Sequence, residues 1–148
     1  MSEYKNYKIQ NTKRIWFVRH AESVANAGGK TSSPGNTELT KNGQKQEELV
    51  EKITYEPDLI ITSFFIKTLR TAEPLMVKFP DTRHEQWSVQ EFTYLSPSKY
   101  NNNTMEERIP RAMEYWDRND PEYCDGQGAE SFTDFLKESR IVKKSLLI

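Results

Sequence analysis

The amino-acid sequence predicts an α/β fold with a mainly parallel sheet flanked by helices. Three observations predict it. Two short, unbroken runs of β-forming apolar residues, Ile15-Trp16-Phe17-Val18 and Leu59-Ile60-Ile61, have the composition of strands buried on both faces. Each run is followed, the first after a loop, by a stretch with helix caps. The resulting order of strand, helix, strand, helix, strand, helix is the order in which crossover helices connect parallel strands. At 148 residues the chain predicts one domain, residues 15–148, behind a polar lead-in of residues 1–14.

Taken in order, Ile15 to Val18 is the first strand and ends abruptly at Arg19-His20. Residues 26–37 are rich in Gly, Ser, Asn and Pro and predict a loop. Thr40 has the side chain of an N-cap for a helix to about Ile53, with Leu49, Val50 and Ile53 on one face. Pro57-Asp58 breaks the chain before the second strand, Leu59 to Ile61. Thr62 and Ser63 then offer caps for a helix to Lys78, in which Pro74 removes one backbone donor. Glu85 to Phe92 is a weaker third strand. After a turn-rich stretch, Thr104 and Glu107 have the spacing of a capping box, which opens a helix carrying Met113, Tyr115 and Trp116. Ser131 and Asp134 have the same spacing and open a last helix with Phe132, Phe135 and Leu136 on one side.

Composition narrows the function. The hydrophobic fraction is only 35%, but 3 Trp, 7 Tyr and 7 Phe bring large buried areas, so a core is within reach. The 21 basic and 22 acidic residues leave a net charge of -1. That lacks the basic field through which proteins bind nucleic acid or an acidic membrane, and neither partner is expected. A single cysteine, Cys124, makes no disulfide within the chain. Residues 1–14 lack the apolar centre of a signal peptide, and no apolar run is long enough to span a bilayer. The expected location is cytoplasmic.

Arg19-His20 stands at the carboxyl end of the first strand, where open α/β sheets bind their ligands. Neutral imidazole is a competent nucleophile toward phosphorus, and a neighbouring guanidinium can hold two phosphate oxygens in a fork. The pair alone is more often a surface or capping feature. Its surroundings add to it. Val18-Arg19-His20-Ala21-Glu22-Ser23 with Asn26 resembles the Arg-His-Gly-Glu-Ser signature and downstream Asn of the histidine-phosphatase superfamily. Further matches follow in the family's order. Leu39-Thr40 with Gly43 and Gln46 is similar to its Leu-Thr…Gly…Gln segment. Ile61-Thr62-Ser63 with Thr71-Ala72 is similar to its second phosphate-binding element. Glu91-Phe92 is similar to the position of its acid, and Gly128 to Phe132 to the start of a later helix.

The resemblance covers about residues 15–140 and implies a phosphoglycerate-mutase-like fold and a mechanism. His20 would attack phosphorus in line and form a phosphohistidine. Glu91 would protonate the leaving oxygen, and a water would then release phosphate. Arg19, Asn26 and Lys67 would hold the phosphoryl group, with Arg70 a second source of a guanidinium. Solvated helix charge is the other reading of Arg70. The implied partner is a small phosphorylated substrate, with no cofactor and no metal; the residues also offer no metal-ligand spacing.

The sequence departs from the family's pattern at three points. Ala21 stands in place of glycine. Lys67 stands where the second arginine is expected and keeps the charge without the fork. The family's second catalytic histidine, in a His-Gly motif after a further strand, has no counterpart here, where the histidines are His20 and His84. His84 precedes the acid motif and reads as a surface or strand-edge residue. Against the family the chain reads as C-terminally short. The loss of one oxyanion donor costs on the order of 10²–10³ in rate. The strand that carries it lies beside the first strand in the family, so Ile15 to Val18 would present an apolar edge that invites homodimerisation or strand exchange.

These features predict a phosphomonoester hydrolase. Two further readings stay open, a catalytically impaired phosphate-binding or scaffold protein and a mutase-type phosphotransferase. Tyr94, Tyr100, Tyr115, Trp116 and Tyr123 either line the pocket or pack a helical cap. Lys99 and Arg108 either meet a second anionic group or are surface charges.

Overall fold

The computed structural model describes residues 13–30 and 33–147. Most of the predicted polar lead-in, residues 1–12, lies outside the described residues. The elements run α1 (Lys41–Glu47), β1 (Leu59–Thr62), α2 (Ile66–Lys78), β2 (Arg83–Gln86), α3 (Met105–Asp117) and α4 (Phe132–Leu147), with 3-10 turns at Pro34–Asn36 and Val50–Lys52. β1 and β2 are parallel, with Leu59 opposite Arg83 and Thr62 opposite Gln86, and α2 makes the crossover between them. The Trp87 N–H donates to the Thr62 carbonyl at 2.9 Å and extends the ladder by one rung. Across it, His84 Nε2 meets Thr62 Oγ1 at 2.9 Å, so His84 is a half-buried residue of β2.

The helices follow from their caps and stripes. Thr40 caps α1 by accepting the Gly43 N–H at 2.9 Å. The helix expected to reach Ile53 stops at Glu47. The Leu49 N–H reaches the Gln46 carbonyl and the Lys52 N–H the Leu49 carbonyl, three-residue bonds that tighten the chain. This turns Leu49 outward and Val50 inward. α2 starts at Ile66 and not at Thr62 or Ser63. The Ser63 hydroxyl is occupied otherwise, accepting the Phe65 N–H at 3.2 Å and meeting Thr68 Oγ1 at 2.8 Å. The buried residues of α2, Lys67, Thr71 and Leu75, recur every four positions and form one stripe. At its far end Leu75 joins Val50 and Ile60 in the aliphatic core, packed by Ile53, Ala72, Met76 and Phe79. Each of the three buried side chains contributes about 1.5–3 kcal/mol. At its near end the same stripe reaches the candidate site.

Thr104 and Glu107 form the expected capping box at the start of α3. At α4 the Ser131 hydroxyl accepts the Asp134 N–H at 3.2 Å and donates to the Asp134 carboxylate at 2.8 Å. α3, α4 and the segment before them are joined by aromatic packing. Phe92 lies 5.0 Å from Phe135, Tyr94 5.0 Å from Tyr115, and Tyr115 5.7 Å from Tyr123, between ring centroids. Tyr94, Tyr115, Trp116 and Tyr123 are thus partners in one cluster, the packing alternative for these side chains. Burial pushes the Tyr115 phenol above its usual range.

Two strand expectations differ from the structure. Ile15 to Val18 forms no strand, and its side chains are open to solvent, Phe17 at 89%. A strand is stabilised by its ladder, and among the described residues no backbone hydrogen bond joins residues 13–20 to a neighbour. In place of the expected third strand, Glu85 to Phe92, the structure has β2 at Arg83–Gln86. β1 offers only four residues to pair with, so the chain leaves the ladder after Trp87 and Glu91 lies in irregular structure. No helix among the described residues is long and apolar enough to cross a membrane.

Candidate active site

His20 is half-buried at the turn that follows the apolar run. Its Nδ1 lies 2.7 Å from the Ala21 carbonyl oxygen. A carbonyl only accepts, so Nδ1 carries the hydrogen and the lone pair of the neutral ring resides on Nε2. The Ala21 N–H donates to Thr71 Oγ1 at 2.9 Å, and Thr71 Oγ1 donates to the Lys67 carbonyl at 2.7 Å. Thr71 therefore ties the histidine turn to α2. Lys67, one turn back on the same stripe, is 4% exposed, and its Nζ lies 2.5 Å from Glu91 Oε1 and 5.5 Å from the centre of the Phe65 ring. The Glu91 side chain is 57% exposed. A continuous path of bonds thus runs from His20 through Ala21, Thr71 and Lys67 to Glu91. Lys67 and Glu91 both follow the carboxyl ends of the two parallel strands, the ligand-binding side of open sheets.

The loop after His20 is held from several sides. Asn26 Oδ1 accepts the Ser23 N–H at 3.1 Å and the Ser23 hydroxyl at 2.8 Å, which closes the turn. Glu22 is anchored to the start of α1, where its carboxylate accepts Thr40 Oγ1 at 2.6 Å and Asn42 Nδ2 at 3.2 Å. Its backbone N–H donates to Gln46 Oε1 at 2.8 Å. A Cβ on Gly43 would collide with the Glu22 carbonyl oxygen, so glycine is required there. The Leu39-Thr40, Gly43 and Gln46 positions are in this way the seat of the histidine loop. Ala21 is buried, and it is not among the residues with positive φ, so its methyl group is accommodated without backbone strain.

The remaining predicted residues lie apart from that path. Arg19 is exposed, and its side chain has no partner among the described residues. Arg70 is exposed, pairs with Glu73 at 3.0 Å and lines a separate cleft with Glu38 and Glu47. The Glu73 carboxylate holds its guanidinium pKa above the usual range. Lys99 is held by Asp125 at 3.1 Å, and Arg108 donates to the Asn103 carbonyl at 3.3 Å. The larger cleft, of about 440 Å³, is lined by Phe65, Gln90, Thr93 and Glu130 among others. His20 lines neither of these two clefts. Among the described residues no group of three or more His, Cys, Asp or Glu could hold a metal ion.

Sequence reading left Thr71 without a role of its own. Its partner in sequence, Ala72, marked the element, but the bond to Ala21 spans 50 residues and leaves no local signal.

The architecture is that of the phosphoglycerate-mutase-like α/β proteins. The chain is similar to a mycobacterial structure titled hydrolase 1 (TM-score 0.64, 21% identity, covering 86% of this chain and 62% of that one). It is similar also to the native structure of mycobacterial glucosyl-3-phosphoglycerate phosphatase (TM-score 0.62, 23% identity, 86% and 60%). A third likeness is to the alpha-ribazole phosphatase of Shigella flexneri (TM-score 0.62, 18% identity, 86% and 64%). The chain thus spans less than two thirds of these proteins' length. No curated protein matches it in sequence. The model of the histidine phosphatase superfamily (branch 1) matches residues 15–146, and the chain belongs to that superfamily.

Proposed function

We propose that the chain carries the phosphoryl-accepting part of a phosphomonoester hydrolase, with His20 as nucleophile and Glu91 as proton donor. The observation that carries this reading is the His20 ring, tied by Nδ1 to the Ala21 carbonyl with Nε2 left as the nucleophilic nitrogen. Membership of the superfamily and the likeness to two phosphatases support it.

In this reading the substrate's phosphoryl group takes the place of Glu91 on the Lys67 ammonium. That frees the Glu91 carboxyl to serve as the acid for the leaving oxygen. Nε2 then forms a bond to phosphorus as the bond to the leaving oxygen breaks, and Glu91 gives its proton to that oxygen. Water next attacks phosphorus and loses a proton to Glu91, the P–N bond breaks, and inorganic phosphate and neutral His20 result. Lys67 and the Nδ2 group of Asn26, whose Oδ1 is taken by Ser23, offset charge on the equatorial oxygens. Arg19 joins them by turning its exposed side chain inward.

The Lys67–Glu91 pair also favours a second reading, a protein that binds phosphate without turnover, because each candidate group neutralises the other at rest. Hydrolysis of p-nitrophenyl phosphate separates the two. The hydrolase reading requires turnover that His20→Ala abolishes. Phosphate binding with no turnover by either protein sinks it in favour of the second.

A further inference from the structure

The cleft of about 440 Å³ begins where the candidate site ends. Phe65, on its wall, carries the Lys67 ammonium 5.5 Å from its ring centre, and Gln90, also on its wall, adjoins Glu91. Building on the hydrolase reading, we propose that this cleft receives the alcohol part of the substrate and selects an uncharged, polyhydroxylated one, such as a sugar ring, over one bearing a second anionic group.

Three features of the cleft carry this. The first is its charge. Glu130 and Glu138 line it, and among the described residues no lysine, arginine or histidine does. The nearby Lys99 gives its ammonium to Asp125, through the carboxylate at 3.1 Å and through the carbonyl. A second carboxylate or phosphate on the substrate would enter a field of its own sign. The second feature is Gln90, whose Oε1 is buried and has no hydrogen-bond partner among the described residues. A buried amide atom left unpaired is destabilising, and a turn of the Gln90 side chain into the cleft, where a ligand pairs that atom, recovers the loss. A hydroxyl both donates and accepts, so it satisfies Gln90 in either orientation of the amide. The third is the rest of the wall, where Phe65, Pro34 and Pro97 offer apolar surface to the C–H face of a ring. Charge excludes anions, the amide asks for hydroxyls, and the apolar wall asks for carbon.

The test is binding to His20→Ala protein, in which turnover cannot interfere. Glucose 6-phosphate and 3-phosphoglycerate are titrated by calorimetry. The expected result is a Kd about tenfold lower for glucose 6-phosphate, the size of one like-charge pair about 12 Å apart near a protein surface. Glu138→Lys on the same background narrows that ratio, and Gln90→Ala weakens glucose 6-phosphate several-fold while 3-phosphoglycerate is little changed. Equal or tighter binding of 3-phosphoglycerate overturns the proposal, as does a ratio that Glu138→Lys leaves untouched. Absence of p-nitrophenyl phosphate turnover by the unmutated chain overturns only the hydrolase reading, and the binding ratio still decides this one.

Discussion

Replacing Thr71 by valine removes one hydroxyl from the middle of the path between His20 and Glu91. Valine has the same shape, so no cavity opens and the effect is that of the lost bonds. The Lys67 carbonyl can still accept the regular bond of α2. The Ala21 N–H, now bonded to Thr71 Oγ1 at 2.9 Å in a buried setting, is left without a partner. An orphaned buried donor costs about 1–3 kcal/mol. With a urea dependence of about 1–3 kcal/mol per molar, the unfolding midpoint should fall by roughly 1 M. The Ala21 carbonyl that orients the His20 ring belongs to the same residue and shifts with it, and a misplacement of about 1 Å lowers a rate by on the order of 10². Urea titration followed by tryptophan fluorescence reads the first effect, and phosphatase kinetics the second. Thr71→Ser keeps a hydroxyl and should recover most of both. A Thr71→Val protein with an unchanged midpoint and unchanged kcat would refute the claim that this bond seats the histidine.

Glu91→Gln still accepts a bond from Lys67 but has no proton to deliver. Its kcat should fall by about 10²–10⁴ for an alkyl phosphate and far less for p-nitrophenyl phosphate, whose leaving group needs no proton; equal losses on both would exclude Glu91 as the acid. Burial pushes the Asp125 carboxyl up, but the Ser96 N–H and the Lys99 ammonium outweigh it, and the group sits below the usual carboxylate range. A carboxyl so lowered stabilises the fold above its ordinary pKa and loses that contribution as acid titrates the folded form, here below about pH 4. Asp125→Asn should therefore flatten the fall of Tm in that window, and an unchanged profile would contradict the assignment. The exposed apolar run Ile15 to Val18 predicts self-association by strand formation between copies, which sedimentation should detect and Phe17→Lys should weaken; a monomer at every concentration for both proteins would dismiss it.

The parts of the fold that were legible in the sequence are those decided locally. Thr40 and the Thr104–Glu107 box act through atoms three residues away, and the run Leu59 to Ile61 declares its own strand, although only Ile60 of the three is buried. Ile15 to Val18 has an equally strong strand composition, yet a strand exists only with a ladder, and composition does not say which neighbour is present. The helix from Thr40 overran because apolar spacing at Leu49 and Val50 does not distinguish a continuing helix from a 3-10 turn. In the site, family resemblance picked out Lys67 and Glu91 one by one. Their direct pairing and the Thr71 bond to Ala21 depend on contacts 24 and 50 residues apart, and no pattern in the sequence encodes them. Arg70 illustrates the converse. It is three residues from Lys67, so it lies on a neighbouring face of α2, which the structure directs toward Glu73 and a different cleft.

The central claim is that a phosphoryl group passes through Nε2 of His20. Brief incubation with a phosphomonoester carrying labelled phosphorus, followed by quenching in base, tests it directly. The account predicts label on the protein that survives alkali, is released by acid, maps to His20 and is absent from His20→Ala. Acid-stable label on another residue, or turnover that persists without His20, would contradict it.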